Sequence, residues 1–136
     1  MGLAQKRISQ EFQEKMFEKW QKRIDKAAGF DVYIEVKWDT LLDETVEDKK
    51  TYFENYEAVY FQPLVEALEN ICVDEIGRAA LKRKLKKVIV DGSKGYEPKD
   101  TTFENGILTI CHKFNISVKK VKERSKEWTK TISEEL

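Results

Sequence analysis

The chain is poor in the residues that usually build reactive centres: one histidine, two cysteines and two prolines in 136 positions. A single imidazole, His112, excludes a metal centre made from clustered histidines. Two thiols, Cys72 and Cys111, are too few for a disulfide framework. Free cysteine is among the most buried residue types, so both read as reduced structural thiols. No stretch approaches the ~18 consecutive apolar residues of a membrane span. Residues 1–10 mix polar and charged groups without the apolar core of an export signal, so the cytoplasm is the expected compartment and no membrane partner is expected. Net charge is zero, which denies the chain the overall basic excess typical of nucleic-acid modules.

What the chain has in quantity is charge and aromatic surface. Charged residues make up 37% of it and aromatic residues 11%. The length fits one domain, residues 1–136, with a heavily solvated surface. The zero balance conceals segregation: residues 1–29 carry +3, residues 30–77 carry −10 and residues 78–136 carry +7. Either two binding surfaces differ in sign, or the acidic middle packs near the basic flanks and the fields cancel.

Periodicity gives the elements. Ile8, Phe12, Met16, Trp20, Ile24 and Ala28 recur every fourth residue, predicting one amphipathic helix over 4–28 that ends at Gly29. Residues 30–38 alternate without a break, with Phe30, Val32, Ile34, Val36 and Trp38 on one side. The other side is largely charged, as a half-exposed strand requires. A helix is expected over 47–60, and Pro63 either interrupts it or starts a new turn. Asp74 is a candidate N-cap for a short helix ending near Leu85. The run 87–91 reads as a second strand, and residues 92–100 read as a surface loop. Asn105-Gly106 is a type I′ turn signal between strands 101–104 and 107–112, placing Phe103 opposite Leu108. A last helix carries Val118, Val121, Ser125, Trp128 and Ile132 along one stripe.

The expected fold is therefore α+β: a small, mostly antiparallel four-stranded sheet with amphipathic helices on one face. The helix and strand order is α-β-α-α-(α)-β-β-β-α.

No catalytic constellation accompanies this architecture, no cofactor motif is recognised, and no motif identifies a family. His112 reads as a surface or edge histidine. A nucleophilic dyad would need it beside Cys72, which the element order disfavours. The glycine-containing segment 91–95 fits neither the Walker spacing nor a calcium loop, and a plain connection is preferred. Three surfaces remain as candidates for partner binding. Arg78, Lys82, Arg83, Lys84, Lys86 and Lys87 form the densest basic run, suited to nucleic acid or another anionic ligand. Glu47, Glu54 and Glu57 lie in an acidic, aromatic stretch that suits a basic partner, although its aromatics at helical spacing also read as core. Tyr33 and Glu35 sit on the charged side of the first strand, where an exposed aromatic would stand out. The leading expectation is a non-enzymatic protein-binding or regulatory domain. Nucleic-acid or anionic-ligand binding through the basic segment 78–87 and the C-terminal helix is the first alternative, and an enzyme or small-ligand binder with a loop-built site is the second.

Overall fold

The computed structural model describes residues 2–95 and 101–136. The first amphipathic stretch forms two helices rather than one, α1 (Leu3–Lys15) and α2 (Phe17–Ala28). They part at Met16, whose φ of −118° is too wide for a regular helix. The bend has a packing reason. It turns Phe12 of α1 and Phe17 and Trp20 of α2 onto one ring, Phe61, with centroids 5.9, 5.5 and 6.1 Å away. Gly29 closes α2 in the left-handed conformation expected of it, at φ 84°.

The alternation of residues 30–38 yields a shorter strand than expected, β1 (Ile34–Val36). Upstream, side chains of α2 stand in for a ladder. Asp25 Oδ1 accepts from the Val32 N–H at 2.8 Å, and Gln21 Nε2 donates to the Val32 carbonyl at 2.9 Å. Downstream, Trp38–Thr40 winds into a 3-10 turn.

Three helical pieces then run on without a break: α3 (Lys49–Asn55), a π-helical turn (Tyr56–Phe61) and α4 (Gln62–Ile71). The N–H of Gln62 bonds the carbonyl of Glu57, five residues back. Pro63 has no N–H to continue that pattern. The Ala58 carbonyl therefore lacks both its α partner and its π partner, and Arg124 Nη2 donates to it at 3.0 Å. Helix α5 (Glu75–Lys84) is capped as expected, with Asp74 Oδ1 accepting from the Gly77 N–H at 2.8 Å. Gly77 is demanded by contact: a Cβ there would lie 1.8 Å from the Ile71 carbonyl oxygen.

The remaining strands are β2 (Lys87–Gly95), β3 (Thr102–Glu104) and β4 (Ile107–His112), in the sheet order β1-β2-β4-β3. The sheet is mixed, not mostly antiparallel. β1 pairs with β2 and β2 with β4 in parallel, and only β3 and β4 are antiparallel. The turn signal is correct, with Asn105 at φ 54° and Gly106 at φ 81°, and Phe103 pairs with Leu108. It constrains that one pair alone. The helical excursion between β1 and β2 is the long crossover that parallel neighbours require, and β4 returns between β2 and β3. β2 also continues to Gly95, into what reads from sequence as a loop; the rest of that expected loop, 96–100, lies outside the described residues.

Val88, Val90, Phe103, Leu108 and Ile110 of the sheet are buried in the core. Helix α4 packs between α2 and α6 (Val121–Ser133), and α6 buries Ser125, Trp128 and Ile132 as its stripe predicts. No helix among the described residues is long and apolar enough to cross a membrane.

Three tyrosines spaced four residues apart fasten this core to the chain around it. Tyr52 donates its hydroxyl to the Asp43 carbonyl at 2.8 Å, Tyr56 to Leu41 at 2.9 Å and Tyr60 to His112 at 2.6 Å. Burial is the main cause that raises the ionisation of all three phenols above the ordinary value of 10.0. The unfolded chain therefore loses these protons at a lower pH than the folded one. Above about pH 10 the unfolded state binds fewer protons, and stability falls as pH rises. In an alkaline titration, the tyrosinate absorbance of these three residues is expected to appear together with loss of circular dichroism. Gradual ionisation of all three in a chain that stays folded would contradict their burial.

Candidate functional site

A concavity lies between α2 and the α3–π-turn wall. It is a wide, open groove of about 820 Å³ whose lining is mainly apolar. Helix α2 places Trp20 in it on the same face that feeds the aromatic core, so the indole is buried while its N–H reaches the groove wall. That N–H donates to Glu57 Oε2 at 2.9 Å. One turn along α2, the guanidinium of Arg23 lies 4.2 Å from the Trp20 ring centroid, and its Nη2 donates to Gln62 Oε1 at 3.2 Å. Phe53, Ala58 and Val121 supply further apolar surface, and Glu54 stands on the rim.

The charges around this groove differ in how far they are engaged. Lys49 pairs with Glu11 and stands 5.4 Å from the Phe53 centroid. That lysine is the first cause holding the Glu11 carboxyl below its usual range. Asp48 is used as the cap of α3, accepting from the Thr51 N–H and hydroxyl at 3.0 and 2.7 Å, and these bonds lower its ionisation. Neither Glu54 nor Glu57 forms an ion pair among the described residues.

Two of the three acids singled out in the acidic, aromatic stretch therefore meet in one groove, and the third, Glu47, is exposed on the connector before α3. The aromatics around them went mainly to the core. Tyr52, Tyr56, Tyr60 and Phe61 are fully buried, and only Phe53 keeps partial exposure.

Tyr33, Glu35 and Lys87 share the outer sheet face. Tyr33 is 63% exposed, as its position on the polar side predicts, but Lys87 Nζ stands 5.3 Å from its ring centroid. Lys87 also pairs with Glu35 at 2.8 Å. That hydrogen bond is the first cause lowering the Glu35 carboxyl and raising the Lys87 amine, so both partners report the same pair.

The rest of the basic run is dispersed. Arg78 and Lys82 flank a cleft of about 210 Å³ beside Gly29 and Phe30. Arg83, Lys84 and Lys86 edge another of about 540 Å³ at the β3–β4 turn, which Glu135 shares. Two ion pairs among the described residues set a base of the C-terminal part against an acid of the middle, Lys87–Glu35 and Lys122–Glu66, whereas Lys37–Asp91 joins the same segments with the signs reversed. The segregation seen in sequence is thus partly balanced within the fold.

His112 is not a surface or edge histidine. It is fully buried, because it follows Leu108 and Ile110 in the inward register of β4. Trp128 Nε1 lies 3.3 Å from His112 Nε2, with the two rings stacked at 5.5 Å, and Thr101 Oγ1 is 3.2 Å from the same nitrogen. An indole N–H only donates, so Nε2 accepts and the imidazole proton is assigned to Nδ1. Cys72 directs its Sγ to the Ala28 carbonyl at 3.7 Å, and burial pushes its thiol up, away from the thiolate a nucleophile needs. Neither cysteine is in a disulfide among the described residues, and both are half-buried.

Trp20, Arg23 and Gln62 complete the groove and were not legible as site residues. Trp20 reads from sequence only as a core position, and nothing along the chain brings Gln62 to Arg23. No protein-family model matches the chain, and no curated protein or solved structure shows significant similarity to it.

Replacing His112 with phenylalanine keeps a ring beside Trp128 but removes its acceptor. The variant is expected to lose about 1–3 kcal/mol in urea unfolding, the usual penalty for a stranded buried donor. A loss below about 0.5 kcal/mol would show that the Trp128–His112 bond contributes nothing to stability.

Proposed function

We propose that the protein is a protein-binding domain, regulatory rather than catalytic, and that it receives a segment of its partner in the groove between α2 and the α3–π-turn wall. The observation that carries this reading is the union of an apolar floor with Glu54 and Glu57, two carboxylates without ion pairs among the described residues. Apolar floors with polar rims are how protein interfaces combine affinity with orientation. The π-helical wall supports the same reading. Such turns interrupt regular hydrogen bonding and recur where a helix serves a site.

The groove's openness weighs against catalysis. A site so accessible to water gives little of the dry, preorganised environment in which electrostatic catalysis is strongest. Dispersal weighs against nucleic-acid binding. The basic run points to separate places and has Glu135 beside one group, so it offers no continuous track for a phosphate backbone.

A photo-crosslinking residue placed at Glu54 is expected to give a discrete protein adduct in native lysate. Filling the groove by Ala58→Trp should abolish that adduct, while the same crosslinker at Tyr33 should not produce it. Absence of any discrete adduct from position 54, or identical adducts from positions 54 and 33, would contradict the proposal.

A further inference from the structure

The same groove indicates which chemistry its occupant carries, an inference that rests on the binding role just proposed. The two aromatic rings that line it are already served by cations of the chain itself. Arg23 lies over Trp20 at 4.2 Å and Lys49 over Phe53 at 5.4 Å. Each of those cations has a further partner, Gln62 for Arg23 and Glu11 for Lys49. Asp48 is committed to capping α3. Among the lining side chains Arg23, Lys49 and Lys50 balance Asp48, Glu54 and Glu57, and Glu11 behind Lys49 tips the local balance to one negative charge.

Glu57 is also oriented. The Trp20 indole N–H fixes Oε2 at 2.9 Å, which leaves the other carboxylate oxygen to accept from an incoming donor. Beside the two acids, Ala58 and Val121 add small apolar surface. A long aliphatic stem with a cationic head matches that arrangement, because such side chains lay their methylenes on apolar surface and keep the charge at its edge. A guanidinium fits better than an ammonium. Its planar fork can engage two carboxylates and is more weakly hydrated.

We propose that the groove takes an arginine side chain of a protein partner, with its stem over Ala58 and Val121 and its guanidinium between Glu54 and Glu57. No bond to Trp20 need break, and neither Arg23 nor Lys49 has to leave its ring.

Three short capped peptides test this, identical except for a central arginine, glutamine or glutamate flanked by leucines. The readout is the NMR signal of the Trp20 indole N–H in the intact protein, assigned through Trp20→Phe. The arginine peptide is expected to shift that signal and to bind about tenfold more tightly than the glutamine peptide, as charge-assisted hydrogen bonds warrant. Glu54→Gln and Glu57→Gln should each erase most of that difference. Glutamine at position 57 still offers an acceptor to the indole, so the fold is retained, and an unchanged thermal melt checks this.

Equal binding of the arginine and glutamine peptides would overturn the arginine inference while leaving the groove as a binding site. Preference for the glutamate peptide would overturn it equally. No shift of the Trp20 signal with any peptide at millimolar concentration would overturn both the inference and the binding role. Concentration-dependent self-association that shifts the Trp20 signal without peptide would replace the partner with a second copy of this chain.

Discussion

One backbone carbonyl constrains much of the molecule. At the junction of α3 and α4 the chain takes a π-helical turn directly before Pro63, and the Ala58 carbonyl is left with no N–H in its own helix. Ala58 is half-buried at the groove, and a carbonyl shielded from water without a partner costs on the order of 1–3 kcal/mol. Arg124, itself only 2% exposed, answers it from α6 and also donates to the Ser117 carbonyl at 2.6 Å. Desolvation lowers the ionisation of this arginine, and the nearby Tyr60 opposes that shift. The contact thus ties the last helix, the turn that precedes it and the central helix together at the groove wall. Arg124 is a structural residue beside the buried stripe of Ser125, Trp128 and Ile132.

The aromatic core is arranged around the same helical run. Phe12 meets Trp38, Phe53, Tyr56 and Phe61, with ring centroids between 4.9 and 6.0 Å. Their rings join α1, the turn after β1 and the π-helical turn. The three tyrosine hydroxyls carry that rigidity outward to the 41–43 connector and the end of β4. Glu54 and Glu57 therefore stand on a wall whose inner side is fixed, and Trp20 reaches them from the neighbouring helix. A rigid wall with exposed acids is what a binding groove needs, since less order has to be imposed when a partner arrives.

Much of the fold could be read from single residues. Gly29, Asp74 and Asn105-Gly106 each act through local backbone chemistry and each does what it predicts. The α6 stripe and the inward register of Phe103, Leu108 and Ile110 are equally local. Applied one step further, that register also buries His112, which the expected strand 107–112 already contains although it reads there as a surface or edge residue. Sheet order was not legible, because the turn dipeptide fixes one pair and strand neighbours elsewhere depend on how the helices pack. The shortening of β1 was hidden for a related reason: Gln21 and Asp25 satisfy Val32 from another element. The groove lay still further from sequence. Glu54 and Glu57 could be named as acids, but their meeting with Trp20 and Arg23 is tertiary.

The dependence of the groove wall on Arg124 can be measured through a double-mutant cycle with Pro63. Arg124→Met strands the Ala58 carbonyl, whereas Pro63→Ala supplies an N–H five residues after Ala58, in register with the bond from Gln62 to Glu57. Urea unfolding of the wild type, both single variants and the double variant gives the coupling. The Arg124→Met loss is predicted to be smaller by about 1 kcal/mol or more in the Pro63→Ala background. An identical loss in both backgrounds would contradict the claim that Arg124 is held in place to satisfy the carbonyl that Pro63 leaves open.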